Sequence, residues 1–454
     1  MTTDDFGIGR APDAPGRLGR VLALALLAAA VSLAGCGGPS VTMNQDPSAF
    51  AEQESRLEQR LADTPEDAAA LRDLGSIYLR TDRPSQAYDA LKKAYSRRPD
   101  DPKVMFYLGL ASEQVGRRQG ALKLFRQFDE VSPDSKYRTL MEGRYEWLTR
   151  RQAERTARRL VAQERERPAD PGRGGSDVVA VVPMQYQGGD EQYQVLGRGL
   201  AEMFTTDLSN VGRLQVVERV RLQALLDELK LGQTEYVDPS TAPRVGRLLG
   251  AGRLVGGSYL VTGDERIRLQ VTLVDAATGE RVPQLENQRA RLDRLFELQT
   301  RVTFSIVDQL GVELTPQERA AIQEVPTQSL QAFLAYSRGL MEEDRGNYGL
   351  AARHYRRAQQ IDPRFNEARQ RRRKARSVQA GGGSQADALT SAAREEPLRE
   401  TVSSVDLVNQ RLRSMGVGVD GPAEDEERDP AQEFGEAEEE SELDDPPAPP
   451  SGGS

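Results

Sequence analysis

The sequence predicts an α+β multidomain protein: helical repeats flank a mixed-sheet α/β domain, and a disordered acidic tail follows. Three observations predict it. A 34-residue period of glycine, alanine and proline runs through residues 48–164 and returns once in 326–378. Between them, residues 177–322 change to short β-branched runs alternating with helically spaced apolar residues. From 379 onward bulky apolar residues thin out, and Glu424 to Asp445 holds thirteen acids against the single Arg428. That segment carries net −12 of a chain total of −9, so the remainder stands near neutrality at +3 and nothing global points to nucleic acid.

The first 36 residues read as an export and anchoring signal. Arg10, Arg17 and Arg20 precede an apolar run from Val21 to Ala34. Fourteen residues of helix span about 21 Å, short of a hydrocarbon core of about 30 Å, so a signal-peptide core fits better than a membrane span. The run ends in Leu33-Ala34-Gly35-Cys36, which resembles a lipobox. That resemblance implies removal of residues 1–35, lipidation of Cys36, and a tether over 36–47. Each buried acyl CH₂ would add about 0.8 kcal/mol to membrane attachment. Gly37 stands where inner-membrane lipoproteins usually carry aspartate, which implies anchoring at the periplasmic face of the outer membrane.

In residues 48–164, Pro65, Pro99 and Pro133 lie 34 apart, as do Gly75, Gly109 and Gly143, and Ala87 and Ala121. One unit carries Leu71, Leu74, Gly75, Tyr78, Ala87, Leu91, Ala94 and Pro99; the next carries Met105, Leu108, Gly109, Ala121, Phe125, Phe128 and Pro133. After the α/β domain, Gly339, Ala351, Tyr355, Ala358 and Pro363 repeat the same offsets. The pattern resembles the tetratricopeptide repeat, a pair of antiparallel helices. Small Gly75 and Ala87 let paired helices approach, large residues fill between units, and proline ends each second helix. Leu57 suggests a preceding half-unit, and 136–164 a capping helix. The resemblance implies a concave surface for protein partners.

Residues 165–176 are linker-like in their Pro and Gly content. Strands are then expected at Asp177–Met184, Leu214–Val217, Leu254–Val261 and Ile267–Val274, with helices at Tyr193–Leu208, Leu222–Leu229, Ala242–Leu249 and Leu292–Leu310. In the last strand Ile267, Leu269, Val271 and Leu273 face one way, Arg268, Gln270 and Thr272 the other. Val216-Val217-Glu218-Arg219, Leu222 to Glu228, Leu248-Leu249-Gly250-Ala251, Leu254-Val255-Gly256-Gly257-Ser258, Val274-Asp275 and Thr278-Gly279-Glu280 resemble the CsgG family of curli-secretion lipoproteins, with their TolB-amino-terminal-like and FlgO-type relatives. The resemblance covers 177–322 and implies an envelope protein. It departs where each curli-channel subunit donates two amphipathic hairpins: this chain has a tight turn around Gly263 and a charged stretch from Arg281 to Arg294. A transmembrane strand needs about 9–11 alternating residues, so the expectation is the family's periplasmic fold without its pore.

The chain has one histidine, His354, one tryptophan, Trp147, and one cysteine, Cys36. His/Cys zinc sites, Ser-His-Asp triads and Cys-His dyads lack their residues, and no enzyme, cofactor or metal is expected. The glycines from Gly250 to Gly256 follow a helix and open a strand, the reverse of a dinucleotide fingerprint, and read as a helix C-cap. The basic run Arg369 to Arg376 reads as a cap on the last repeat, able to meet the acidic tail or anionic envelope components. Within the tail, 398–415 has apolar spacing suited to a short docking helix. The expected function is a lipid-anchored, periplasm-facing adaptor that binds proteins through its repeats, with homo-oligomerisation open. The alternatives are a component of a curli-type secretion channel, and a lipoprotein regulator of an envelope enzyme such as a peptidoglycan synthase, whose lipoprotein activators resemble this architecture.

Overall fold

The computed structural model describes residues 47–166, 174–231, 236–238, 240–281 and 288–393. Cys36 with its leader, and the expected helix 398–415, lie outside them. Helices α1 (Pro47–Asp63), α2 (Ala68–Arg80), α3 (Pro84–Arg97), α4 (Pro102–Gln114) and α5 (Arg118–Arg126) come first. Two aspartates one repeat apart start equivalent helices. Asp67 accepts bonds from the Ala69 and Ala70 amides, and Asp101 from those of Lys103 and Val104, satisfying donors that a helix start leaves free.

Helix α2 pairs with α3 and α4 with α5. Gly75 faces Leu91 and Gly109 faces Phe125; a Cβ at either glycine would overlap that side chain. Leu91 and Phe125, expected to fill between units, each sit on the glycine of their own unit. Helix α6 (Lys136–Glu166) is continuous over 31 residues. Tyr137, Leu140, Met141 and Leu148 close the core of the first hairpins, while Ala157 and Val161 bury in a separate core with Leu222, Leu225 and Val245 of the α/β domain.

The sheet comprises β1 (Gly175–Val181), β2 (Gln185–Tyr186), β3 (Gln215–Val216), β4 (Ala251–Thr262), β5 (Arg266–Asp275) and β6 (Gln288–Arg291), in the order β3-β1-β4-β5-β6 with β2 beside β4. Strand β1 runs parallel to β3 and β4, and β5 antiparallel to β4 and β6. Alternate residues feed two cores. Val179, Val255, Leu269 and Val271 pack with α7 (Leu196–Ser209) and α10 (Leu295–Gln309). Ala180, Val182, Leu254 and Val274 pack with α8 (Arg219–Leu229) and α9 (Ala242–Leu249).

Two strands escaped the sequence reading. β2 is two residues long, and β6 pairs Arg291 with Arg266 through backbone bonds while presenting arginines at the sheet edge, where charge blocks further pairing. The glycine run behaves as a helix stop: Gly250 ends α9 with φ +72°, a left-handed cap that glycine adopts without a Cβ penalty.

After α11 (Pro316–Gln323), opened by a Thr315–Glu318 capping box, come α12 (Leu330–Asp344), α13 (Tyr348–Ile361), α14 (Asn366–Gly381) and α15 (Gln385–Ala393). Residues 379–381 and 385–393 are therefore helical, which corrects a disordered tail starting at 379. Ala388, Leu389 and Ala392 bury in the core of the first hairpins, and their small size lets α15 lie close. Helix α14 crosses α6 at Gly143, where a Cβ would overlap the Ser377 carbonyl. Phe333, Tyr336 and Tyr355 of α12 and α13 join the same core as α7 and α10. Helices encoded on both sides of the α/β domain thus form one unit with it.

Candidate interaction groove and its buried ion cluster

Where α6, α13, α14 and α15 meet, a groove of about 700 Å³ opens, lined by Trp147, Tyr348, Leu350, Arg353, Val378 and Asp387 among others. At 39% exposure, Leu350 is the one exposed large apolar side chain among the described residues. Trp147 is held from beneath. Arg144, fully buried, donates to both Glu113 carboxylate oxygens at 2.9 and 2.6 Å and to the Gly383 carbonyl at 2.8 Å. Its guanidinium lies 4.4 Å from the indole centroid, with that of Arg151 at 5.4 Å. A fixed aromatic ring, an exposed leucine and a polar rim suit an apolar side chain of a peptide or protein ligand.

Tyr348 and Val378 also line a second cavity of about 430 Å³, which opens onto a cluster of buried charges. Glu202 comes from α7, Arg219 from the start of α8, Glu343 and Asp344 from the end of α12, and Arg371 from α14. Arg219 pairs with Glu343 and Asp344, and lies 3.4 Å from Glu202. Arg371 pairs with Glu202 and, at 3.0 Å, with Glu343. Arg198 binds Asp344 at 2.6 Å, and the Tyr355 hydroxyl donates to Glu343 at 2.6 Å. Three carboxylates thus meet three guanidiniums.

Burial alone would push Glu343 up, but Arg219 and Arg371 overcome it and hold its carboxyl at about 2. Glu202 is lowered in the same way: Arg371 and Arg219 overcome its burial. For Asp344 burial prevails over Arg219 and Arg198, with Glu343 and Glu202 close by, and its pKa rises. Arg150 of α6 adds a clamp by donating to the Glu343 and Asp344 carbonyls at 2.9 and 2.7 Å, a cation on the C-terminus of α12.

The repeat-signature residues are scaffolding around these features. Leu74, Tyr78, Ala87, Ala94, Leu108, Ala121, Phe125, Ala351, Tyr355 and Ala358 are buried, and a Cβ at Gly339 would overlap Tyr355. Pro99, Pro133 and Pro363 stand just beyond the elements that end at Arg97, Glu130 and Ile361. His354 is half-buried, its pKa lowered by burial and by Arg338. Among the described residues no group of three or more His, Cys, Asp or Glu could hold a metal, and no helix is long and apolar enough to cross a membrane.

The basic run does not act as a single cap: Arg371 is buried in the ion cluster, and Lys374 binds Glu146 at 2.7 Å. Sequence reasoning missed the cluster and Arg144. The available signal was charge on apolar helix faces, Glu202 beside Met203 on α7 and Glu343 following Tyr336 and Leu340 on α12.

Comparison with known proteins bears on the α/β domain. Residues 176–268 match the family model of the curli production assembly/transport component CsgG. The chain carries a CsgG-like domain. In Rhizobium meliloti (strain 1021), a protein described as "Putative adenylate cyclase 3" is 31% identical over 140 residues, 31% of this chain and 22% of that protein. From the same organism, the cytochrome c-type biogenesis protein CycH is 45% identical over 49 residues, 11% of this chain and 13% of that one. The chain therefore spans less than a quarter of the length of either relative. The CsgG-like match runs from β1 through β4 into the start of β5 and includes Arg198, Glu202 and Arg219, so the domain contributes half of the cluster that seats α12 and α14.

Proposed function

We propose that this chain is a lipid-anchored adaptor at the periplasmic face of the outer membrane. In this reading its tetratricopeptide helices hold a protein partner, and its CsgG-like domain ties that partner into an envelope assembly. One observation carries it: helices from both sides of the CsgG-like domain converge on a single groove in which Trp147 and Leu350 are presented over a rigid ion-paired base. The family match, to a transport and assembly component, supports a role in assembly rather than catalysis. The CycH likeness, to a protein named for cytochrome c biogenesis, fits an envelope complex.

The test uses the full chain in cells. A photo-crosslinking residue at position 350 should capture one discrete partner, while the same residue at position 266, exposed at the start of β5, should not. Trp147→Ala should abolish the position-350 adduct at unchanged protein level. Equal capture at 350 and 266 would sink the adaptor reading. Anchoring is tested separately: Cys36→Ser should move the chain from the membrane to the soluble fraction, and an unchanged distribution would refute lipidation. Light scattering on protein lacking residues 1–36 distinguishes the channel alternative, which requires a single large oligomer together with conductance in bilayers.

A further inference from the structure

We propose that the acidic segment Glu424–Asp445 docks into an arginine groove on α14, so that the chain covers its own most basic surface. The groove, about 450 Å³, is formed by Arg369, Arg372, Arg373 and Arg376 with Thr139 of α6. Positions 369, 372, 373 and 376 recur three or four apart and share a helix face. Arg371 and Lys374 of the same run turn the other way into ion pairs. Arg369 donates to the Pro363 carbonyl, and among the described residues none of the four groove arginines has a carboxylate partner within ion-pair distance. Four like charges lining one groove repel one another, and an anionic occupant removes that repulsion.

Charge and chain path single out the occupant. The segment has thirteen carboxylates and one arginine in a chain whose remainder is +3. The described chain ends beside the groove: the Ala392 carbonyl accepts a 2.8 Å hydrogen bond from Lys136 Nζ, and Lys136 lies one helical turn from Thr139 on α6. The thirty residues between Ala393 and Glu424 reach about 30 Å root-mean-square if unstructured. Tethering then places the segment at an effective concentration in the millimolar range, ahead of any free polyanion at lower concentration.

The experiment is arginine modification by a dicarbonyl reagent on the full mature chain, mapped by mass spectrometry. The comparison variant carries Glu436, Glu438, Glu439, Glu440 and Glu442→Gln, all outside the described residues. At low salt Arg373 and Arg376 should react about threefold or more slowly in the native chain than in the variant, and the difference should vanish near 0.5 M salt, where the Debye length shrinks to a few ångströms. Arg266 and Arg291, paired across β5 and β6 and outside the groove lining, should react equally in both. Equal rates for Arg373 and Arg376 at low salt would overturn the proposal. So would equal protection of both chains by added polyglutamate, since that outcome assigns the groove to an external anionic partner.

Discussion

Three hairpins of the same repeat put one position to different uses. Four residues after the repeat glycine stand Leu79, Glu113 and Glu343 in the three units. Leu79 is buried among apolar neighbours. Glu113 and Glu343 each receive arginines from other elements: the later α6 supplies Arg144 to Glu113, while the earlier α8 supplies Arg219 and the later α14 supplies Arg371 to Glu343. The residue opposite the glycine follows suit. Phe125 packs against Phe106 at 6.3 Å, whereas Tyr355 adds a hydroxyl that bonds Glu343. The repeat supplies a constant backbone, and a change of one or two side chains turns a unit from a stacking element into a polar docking surface. The Glu113 site is one ion pair between α4 and α6, with the Gly383 carbonyl as a further acceptor for Arg144. The Glu343 site joins four elements and three arginines.

The largest expected effect follows from that difference. Arg219→Met leaves Glu202, Glu343 and Asp344 facing only Arg371 and Arg198, and breaking a buried ion network in this way costs about 3–5 kcal/mol. Thermal unfolding of the full chain should show the drop, and a loss below about 1 kcal/mol would mean that water reaches the cluster freely. Acid should mimic part of it. Glu343 is held at about 2 against an ordinary 4.5, so its contribution is complete above 4.5 and is lost as pH falls from 4.5 toward 2. Glu343→Gln should flatten that limb of the stability–pH curve.

A smaller effect sharpens the comparison at the other hairpin. Glu113→Leu copies the Leu79 unit but strands Arg144, at an expected cost of about 3 kcal/mol. Adding Arg144→Met should recover most of it, because an isolated buried pair is replaceable by apolar residues of similar volume. The same double change should alter Trp147 fluorescence, since Arg144 sits over its ring. Failure of the double variant to recover stability would show that the Gly383 carbonyl, not Glu113, is the partner that matters.

Much of this architecture was legible in the sequence because it depends on short-range spacing. The 34-residue period located Gly75, Gly109 and Gly339, and alternation from Ile267 to Leu273 located β5. The strands that were missed are held by backbone pairing and not by an apolar stripe, as the arginines of β6 illustrate. The ion cluster was hidden for a different reason. Glu202 and Arg371 are 169 residues apart, and nothing local distinguishes Arg371 from the exposed arginines flanking it. Only the crossing of α7 by α12 and of α6 by α14 brings these charges together. Helix α15 was lost because composition alone cannot separate an alanine-rich helix that packs from a segment that does not.

The smallest effect expected distinguishes two carboxylates on one helix. Glu202 and Asp207 are both buried on α7, yet Glu202 has arginines and Asp207 has none among the described residues. Asp207 instead accepts from Gln299 Nε2 at 2.6 Å and Thr303 Oγ1 at 2.9 Å. Burial outweighs those bonds and raises its pKa to about 6. A raised acid favours the protonated folded state, so its penalty is absent below about 3.8 and grows as pH climbs from 3.8 to 6. Asp207→Asn keeps an acceptor for both donors and removes the charge. It should stabilise the chain by about 2 kcal/mol at pH 7.5 and leave it unchanged near pH 4, where the native group is already neutral. Equal stabilisation at both pH values would place the effect in packing. A loss at pH 7.5 would mean that the charge itself is held by a partner, as it is for Glu202.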